Sequence, residues 1–507
     1  MTTSPRRFLL ALAWLLVPVV SAALVVFDPR ISALVPTGVW RRLGMAELPY
    51  RAIALLVLLS LLGLILAGLM RKARDFETLA VILIMAASQL NGIHVGPLDT
   101  FDATIFGLFM AWLAKRGADP EHAVRLSPLF YFASALAFLG FAHLPVMSPY
   151  NWFVGMYGIV RVVIVTLLVV DTCRDSSILV LALRAFVLVA VLSALFGVVQ
   201  FTLAYFGIFR FTLIQPALSA FKPTPFGFIM RASGLCITAQ HYSSFLIYAL
   251  PFALWQCTRE RPLRNAVAVA IILAGIGVSL NFGGLFAALF ALVLFPFLRW
   301  PRLSLHIALA YLALLAIAYY AGLIHLIYEM SFGDAGVAKG VDQRKTLFIL
   351  GLEEIGRSPF VGTGLHGFGH VDGNFWNRPV HNLLGEAAAE LGIEGALILI
   401  AIYFQLSLDL VRVTGARWQA GTNLAAVTLL MLVTSLVLGQ SEPNLDQSNQ
   451  WLVFALAQAT VLLLRGLPRG GGQTMIEASS MSNMPAPATA SQKTSASSVL
   501  PMFRSRR

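Results

Sequence analysis

Residues 178–207 read ILVLALRAFVLVAVLSALFGVVQFTLAYFG, and Arg184 is the one charge among them. A run of that length spans a hydrocarbon core about 30 Å thick as a single helix. It shows neither the alternation of a half-buried strand nor the polar stripe of a surface helix. Apolar runs near spanning length recur along the chain, at 8–27, 51–70, 77–93, 99–114, 127–145, 153–171, 178–207, 238–257, 265–280, 283–298, 304–325, 383–408, 421–440 and 450–465. The 507 residues are 58% hydrophobic and only 12% charged, with a mean hydropathy of +0.80. A soluble domain of this size carries about twice that share of charge. The expected fold is therefore an all-α polytopic membrane protein of about 12–14 transmembrane helices. Around Asn281-Phe282-Gly283-Gly284 the runs stand close enough for a tight hairpin or a re-entrant element.

Basic residues give the orientation. Arg6-Arg7, Arg71-Lys72-Ala73-Arg74, Lys115-Arg116 with Arg125, Arg174, Arg259 with Arg261 and Arg264, Arg299 with Arg302, and Arg412 with Arg417 fall in alternate connections. Both termini are then cytoplasmic, and segments 207–237, 326–382 and Ser441-Glu442-Pro443-Asn444 face outward. Arg30, Arg41 and Arg42 in the first outward loop dissent. The net charge of +12 is on this reading a topology signal; nucleic-acid binding needs a concentrated basic face instead. Ser21-Ala22-Ala23 imitates a signal-peptidase site, but the apolar run before it has spanning length, so an uncleaved first helix is expected. Cys173 and Cys257 fall on the cytoplasmic side and Cys236 on the other, which predicts no structural disulfide.

No internal repeat of the kind that builds many transporters is visible. The organisation expected is an N-terminal bundle over 1–325, an outward loop over 326–382, a C-terminal bundle over 383–466, and a disordered cytoplasmic tail over 467–507. Within the loop, Asp342 to Gly356 reads as a helix, with Leu347, Leu350, Leu352 and Ile355 as its apolar positions. Ser358-Pro359 stops it, and Val361-Gly362-Thr363-Gly364 is turn chemistry. Phe360, Phe368, Phe375 and Trp376 favour a packed cap over the membrane.

Candidate chemistry gathers on the outward segments. Arg231 stands ahead of the span opened by Gln240-His241-Tyr242, and Arg344 at the start of the loop helix. A guanidinium matches phosphate oxygens as a fork and stays charged at any relevant pH. Two such groups converging grip a pyrophosphate; two apart are interfacial arginines reaching for lipid headgroups. His381 sits where the loop re-enters an apolar helix, either as a proton acceptor beside an anion site or as an interfacial hydrogen-bonding residue. Asn382 follows it. Glu386 and Glu390 share a helix face four residues apart, and either orient the histidine, line an acceptor path, or stay protonated in the core. His366, His370 and Asp372 make a poor metal set, because the intervening Gly367 and Gly369 spoil a helical ligand pair. Arg161 and Arg184, inside spans, are expected to be structural.

The stretch Arg344…Pro359-Phe360-Val361-Gly362-Thr363-Gly364…His381-Asn382…Glu390-Leu391-Gly392-Ile393-Glu394-Gly395 resembles the signature of the O-antigen ligase and polysaccharide polymerase superfamily. Arg231-Ala232-Ser233-Gly234 is similar to that family's upstream arginine segment, although Cys236-Ile237-Thr238 stands where relatives often carry an Asn-Pro-like element. The resemblance implies a GT-C-like glycosyltransferase of the bacterial inner membrane, independent of metals and other cofactors, with its loop capping an outer cavity and its site facing the periplasm. Its donor is a glycan on undecaprenyl pyrophosphate, and its acceptor a glycan or the lipid A core. Carried over, His381 is the base and Arg231 and Arg344 bind the pyrophosphate; Asn382, Glu386 and Glu390 are the candidate supporting residues beside them. Ligase, polymerase and protein O-oligosaccharyltransferase remain alternatives within the family. Outside it stands a transporter of lipid-linked glycan, for which deep ionisable residues are scarce.

Overall fold

The structure, a computed structural model, describes residues 76–90, 94–95, 98–118, 124, 126–142, 149–206, 221–224, 227–236, 238–258, 262–322, 335–376, 378–415, 424–442, 445 and 447–466. The chain divides into two units, Met1–Gly466 and Leu467–Arg507. The second unit, and the spans expected at 8–27 and 51–70, lie outside the described residues.

Each expected span that falls on described residues forms a helix. In chain order the bundle contains α1 (Phe76–Ala87), α2 (Thr100–Ala118), α3 (Pro128–Ala142), α4 (Pro149–Thr172), α5 (Ser176–Tyr205), α6 (Ala239–Cys257), α7 (Pro262–Val278), α8 (Phe282–Arg299) and α9 (Ser304–Tyr320). After the loop helix α10 (Ala335–Arg357) come α11 (Leu383–Gly415), α12 (Leu424–Gly439) and α13 (Ser448–Gly466). Four stretches are long and apolar enough to cross a bilayer: Gly155–Thr172, Ser176–Tyr205, Phe282–Arg299 and Leu383–Thr414. With the shorter apolar helices around them, this is the build of a helical membrane protein. Two antiparallel hairpins, β1 (His94–Val95) with β2 (Leu98–Asp99) and β3 (Phe221–Thr224) with β4 (Gly227–Met230), are additions that hydropathy did not anticipate.

In lipid the more polar helices belong inside, because acyl chains offer no hydrogen bonds. Accordingly α6, which carries Tyr242, Ser243, Ser244 and Tyr248, is buried almost throughout and packs against α5, α7, α8 and α12. Helix α13 is equally enclosed, by α4, α11 and α12. The Tyr248 hydroxyl donates to Gln450 Oε1 at 2.8 Å, and Gln450 Nε2 donates to Tyr403 Oη at 3.0 Å and Ser435 Oγ at 3.2 Å. Conversely α9 presents Leu305, Leu309, Leu312 and Ile317 outward, an apolar face suited to acyl chains rather than water. Arg161, expected to be structural, pairs with the buried Asp102 at 3.0 Å.

The loop helix begins at Ala335, earlier than its apolar periodicity indicated, and ends at Arg357, one residue past the expected Gly356 and just before Ser358-Pro359. Leu347, Phe368, Val380 and Ala389 form one buried cluster, with Leu350, Ile355 and Val371 against it. Through this cluster the loop packs onto the first turns of α11.

Helix α11 is broken at Gly392 (φ 78, ψ 178). Into the break fits the turn after Pro359: Thr363 N–H donates to Ala389 O at 2.9 Å, Gly364 N–H to Glu390 O at 2.8 Å, and Ile393 N–H to Pro359 O at 2.8 Å. The two backbones touch. A Cβ on Gly362 would lie 2.6 Å from Glu390 O, and one on Gly392 would lie 2.5 Å from Phe360 O. Glycine is required at both positions by close approach as much as by positive φ. The turn and the break thus form one interlocked unit within the helix that begins just after His381.

Candidate active site

One end of the bundle collects the starts of α6, α8, α11 and α13 with the ends of α7 and α12. A helix C-terminus leaves orphan carbonyls. At the end of α7, Ala232 N–H donates to Val278 O at 3.0 Å and Arg231 Nε–H to Ser279 O at 3.0 Å. This bond fixes Arg231 by its Nε and leaves its two terminal amino groups for an anion. The segment behind it is held by Gln200 Oε1, which accepts from Ser233 N–H at 3.1 Å and Gly234 N–H at 3.0 Å. Gly234 has φ 58, and a Cβ there would strike the Tyr242 ring at 2.6 Å.

Arg344 arrives from the cap. It lies one turn before Leu347, and Leu347 is buried against Val380, the neighbour of His381. Gly351 lets α10 approach that valine, since a Cβ there would meet Val380 Cγ2 at 2.9 Å. Arg344 itself is exposed. Asn374 Nδ2 donates to Phe368 O at 2.9 Å and Arg378 O at 2.8 Å, which ties the strand carrying His381 to the cap.

Sequence residues far apart therefore meet electrostatically. Arg344 acts on Arg231, on His381 and on Glu442. Burial, then Arg344 and Arg378, lower the His381 imidazole to about 4, so it is uncharged at neutral pH. Its Nδ1 is buried with no hydrogen-bond partner among the described residues. Burial also lowers Arg231, opposed by Glu442 and reinforced by Arg344. The site thus holds fixed cations beside a neutral imidazole with an unused nitrogen.

The supporting residues act through the backbone. Asn382 Oδ1 accepts from Gly385 N–H at 2.8 Å and so caps α11, while its Nδ2 donates to Gln440 Oε1 at 2.9 Å. Glu386 Oε2 accepts from Leu445 N–H at 3.2 Å, and Glu390 Oε2 from His366 N–H at 3.0 Å, where His366 has φ 58. Both carboxylates clamp loops to α11. Phe368–His370 forms a short 3-10 turn, and no group of three or more His, Cys, Asp or Glu able to hold a metal occurs among the described residues.

Two further residues, both on outward segments, join the site without having been assigned a role from the sequence. Arg378 is a third cation near His381. Glu442, buried at 1% exposure, lies in the loop between α12 and α13. Its Oε2 accepts from Ser244 Oγ at 3.0 Å and its Oε1 from Asn281 Nδ2. That loop gets close because residue 283 is glycine: a Cβ there would lie 2.0 Å from Ser441 Oγ. Burial raises Glu442 to about 7, against the lowering effect of Asn281, Ser244, Arg231 and Arg344. The signal in the sequence was a carboxylate in a short outward connection between two apolar runs.

Fold and site together define a helical membrane protein in which a neutral histidine and a buried carboxylate stand within the influence of shared arginines. No family model matches the chain, and no curated protein matches it.

Proposed function

We propose that the protein is a membrane glycosyltransferase of the O-antigen ligase type. It moves an oligo- or polysaccharide from undecaprenyl pyrophosphate to an acceptor hydroxyl at the periplasmic face of the bacterial inner membrane. The observation that supports the reading is that one guanidinium, Arg344, acts both on Arg231 and on His381, whose Nδ1 has no hydrogen-bond partner among the described residues.

A sugar hydroxyl is a weak nucleophile until a base takes its proton. His381 is uncharged and has a free nitrogen, so it accepts the acceptor's O–H proton as that oxygen attacks the anomeric carbon. The bond from the anomeric carbon to the pyrophosphate oxygen breaks, and its electron pair leaves with undecaprenyl pyrophosphate. Attack opposite the leaving group inverts the anomeric centre. Arg231 and Arg344 stabilise the charge that develops on the departing oxygen. The imidazolium then returns its proton to solvent.

Donor binding also prepares the base. Part of the depression at His381 comes from Arg344 and Arg378. A bound pyrophosphate offsets those positive charges and strengthens the base only when a donor is in place.

The test is product mass. Purified protein is incubated with lipid-linked glycan and either lipid A core or a second lipid-linked glycan. A core adduct identifies a ligase, and a ladder of longer lipid-linked glycans identifies a polymerase with the same chemistry. His381→Ala is expected to lower turnover by about 10²–10⁴-fold while the protein stays folded. Full turnover in that variant would remove His381 as the base.

A further inference from the structure

We propose that Glu442 is a positioning residue that supplies the site's negative charge when no donor is bound, so that pyrophosphate binding is linked to protonation of its carboxylate. The inference rests on the donor reading above and extends it to a residue outside the resemblance.

Geometry places Glu442 at the joint between the two halves of the site. Asn281, which donates to it, follows Ser279, whose carbonyl holds Arg231. The same Asn281 amide donates to Ser243 Oγ at 2.6 Å, so the turn between α7 and α8 is pinned to α6. On the other side, Glu386 holds Leu445 of the same loop, Trp451 Nε1 donates to Leu445 O at 2.8 Å, and Asn382 grips Gln440. The carboxylate therefore has little freedom to move when the site fills.

Its hydrogen-bonding partners are neutral; its positive neighbours are guanidiniums of the site. Arg231 ahead of α6, Arg344 on α10 and Tyr248 on α6 act on it, and His241 lies on α6 as well. Glu386 and His381 lie at the start of α11, with Arg378 just before it. Asn281, Ser243 and Ser244 carry no charge. A buried carboxylate sustained first by hydrogen bonds from Asn281 and Ser244 and then by cations loses the cations' share when a ligand of two or more negative charges takes them over. A group near 7 then gains a proton from solvent. By reciprocity, ionised Glu442 weakens the donor's hold and protonated Glu442 strengthens it.

The sign follows directly. Above pH 7 the free protein carries ionised Glu442, and pyrophosphate affinity falls with rising pH by up to about tenfold per unit. Calorimetric titration of the full chain in detergent with farnesyl pyrophosphate, in two buffers of unlike ionisation enthalpy, reads the proton count. At pH 7 the wild type is expected to take up about half a proton more than Glu442→Gln, which keeps His381 and the same probe. Equal uptake in the two proteins overturns the proposal and leaves the donor reading standing. No binding of the probe to the wild type overturns both. A measurement on the wild type alone guards against a misfolded variant: at pH 8 the probe must produce a new infrared band of a protonated carboxyl, and its absence also overturns the proposal. Linked uptake without any glycosyl product would instead keep Glu442 as the linked group and remove the transferase.

Discussion

Replacing Gly392 by alanine tests whether the interlock between the turn after Pro359 and the break in α11 is real. The backbone there, at φ 78 and ψ 178, lies in a region open essentially to glycine alone, at a cost of about 1–3 kcal/mol for any other residue. The new Cβ would stand 2.5 Å from Phe360 O, 2.6 Å from Phe360 C and 3.0 Å from Pro359 O. All three are backbone atoms, so no side-chain rotation relieves the clash, and the forced shift adds about 1–3 kcal/mol. The unfolded chain returns about 0.4–1 kcal/mol through lost freedom. The net is about 2–5 kcal/mol, concentrated on the bonds from Thr363, Gly364 and Ile393. Hydrogen exchange of those amides is the assay. Their exchange should accelerate by about 30-fold to several thousand-fold, since each 1.4 kcal/mol is a factor of ten. Gly356→Ala is the control: it lies in α10 with nothing within 4 Å of the added Cβ, and should stabilise by about 0.5–1 kcal/mol. Exchange in Gly392→Ala within threefold of wild type would refute the account of the broken helix.

Two further outcomes follow from the site. In the free protein His381 stays neutral down to about 4, so the acid limb of kcat/KM should lie low; donor charge offsets Arg344 and Arg378, so the acid limb of kcat should lie at higher pH. Coincident limbs would remove the donor's effect on the base. Asn382→Ala should cost about 1–2 kcal/mol by loss of the cap on Gly385 and the bond to Gln440, and Asn382→Ser, which can keep the cap, about half as much. Thermal unfolding of the purified variants decides it, and equal losses in both would mean that the cap contributes nothing.

What the sequence disclosed, and what it hid, divides along the range of the interactions. Hydropathy is a local property, and it located every helix of the bundle that the structure describes. It is silent at hairpins such as Phe221–Met230, where pairing rather than hydropathy decides. His381, Arg231 and Arg344 were legible as chemistry because each is a charged or titratable group beside an apolar run. Their convergence was not, since it depends on Leu347 and Val380 packing across the cap. Glu386 and Glu390 share a face as their spacing requires, yet their bonds reach Leu445 and His366, backbone groups that no helical periodicity points to.

Glu442 is the limiting case. It draws its environment from Asn281 and Ser244, 161 and 198 residues away in the chain. A four-residue polar loop reads as solvated turn chemistry until those partners are known. Burial then reverses the reading, because a carboxylate at 1% exposure without a direct ion pair among the described residues is costly to keep ionised. Such a group persists only where something offsets that cost, and here the offset comes from the hydrogen bonds of Asn281 and Ser244 and then from Arg231 and Arg344, the two guanidiniums proposed to hold the donor's anion. The carboxylate and the anion therefore compete for the same positive charge.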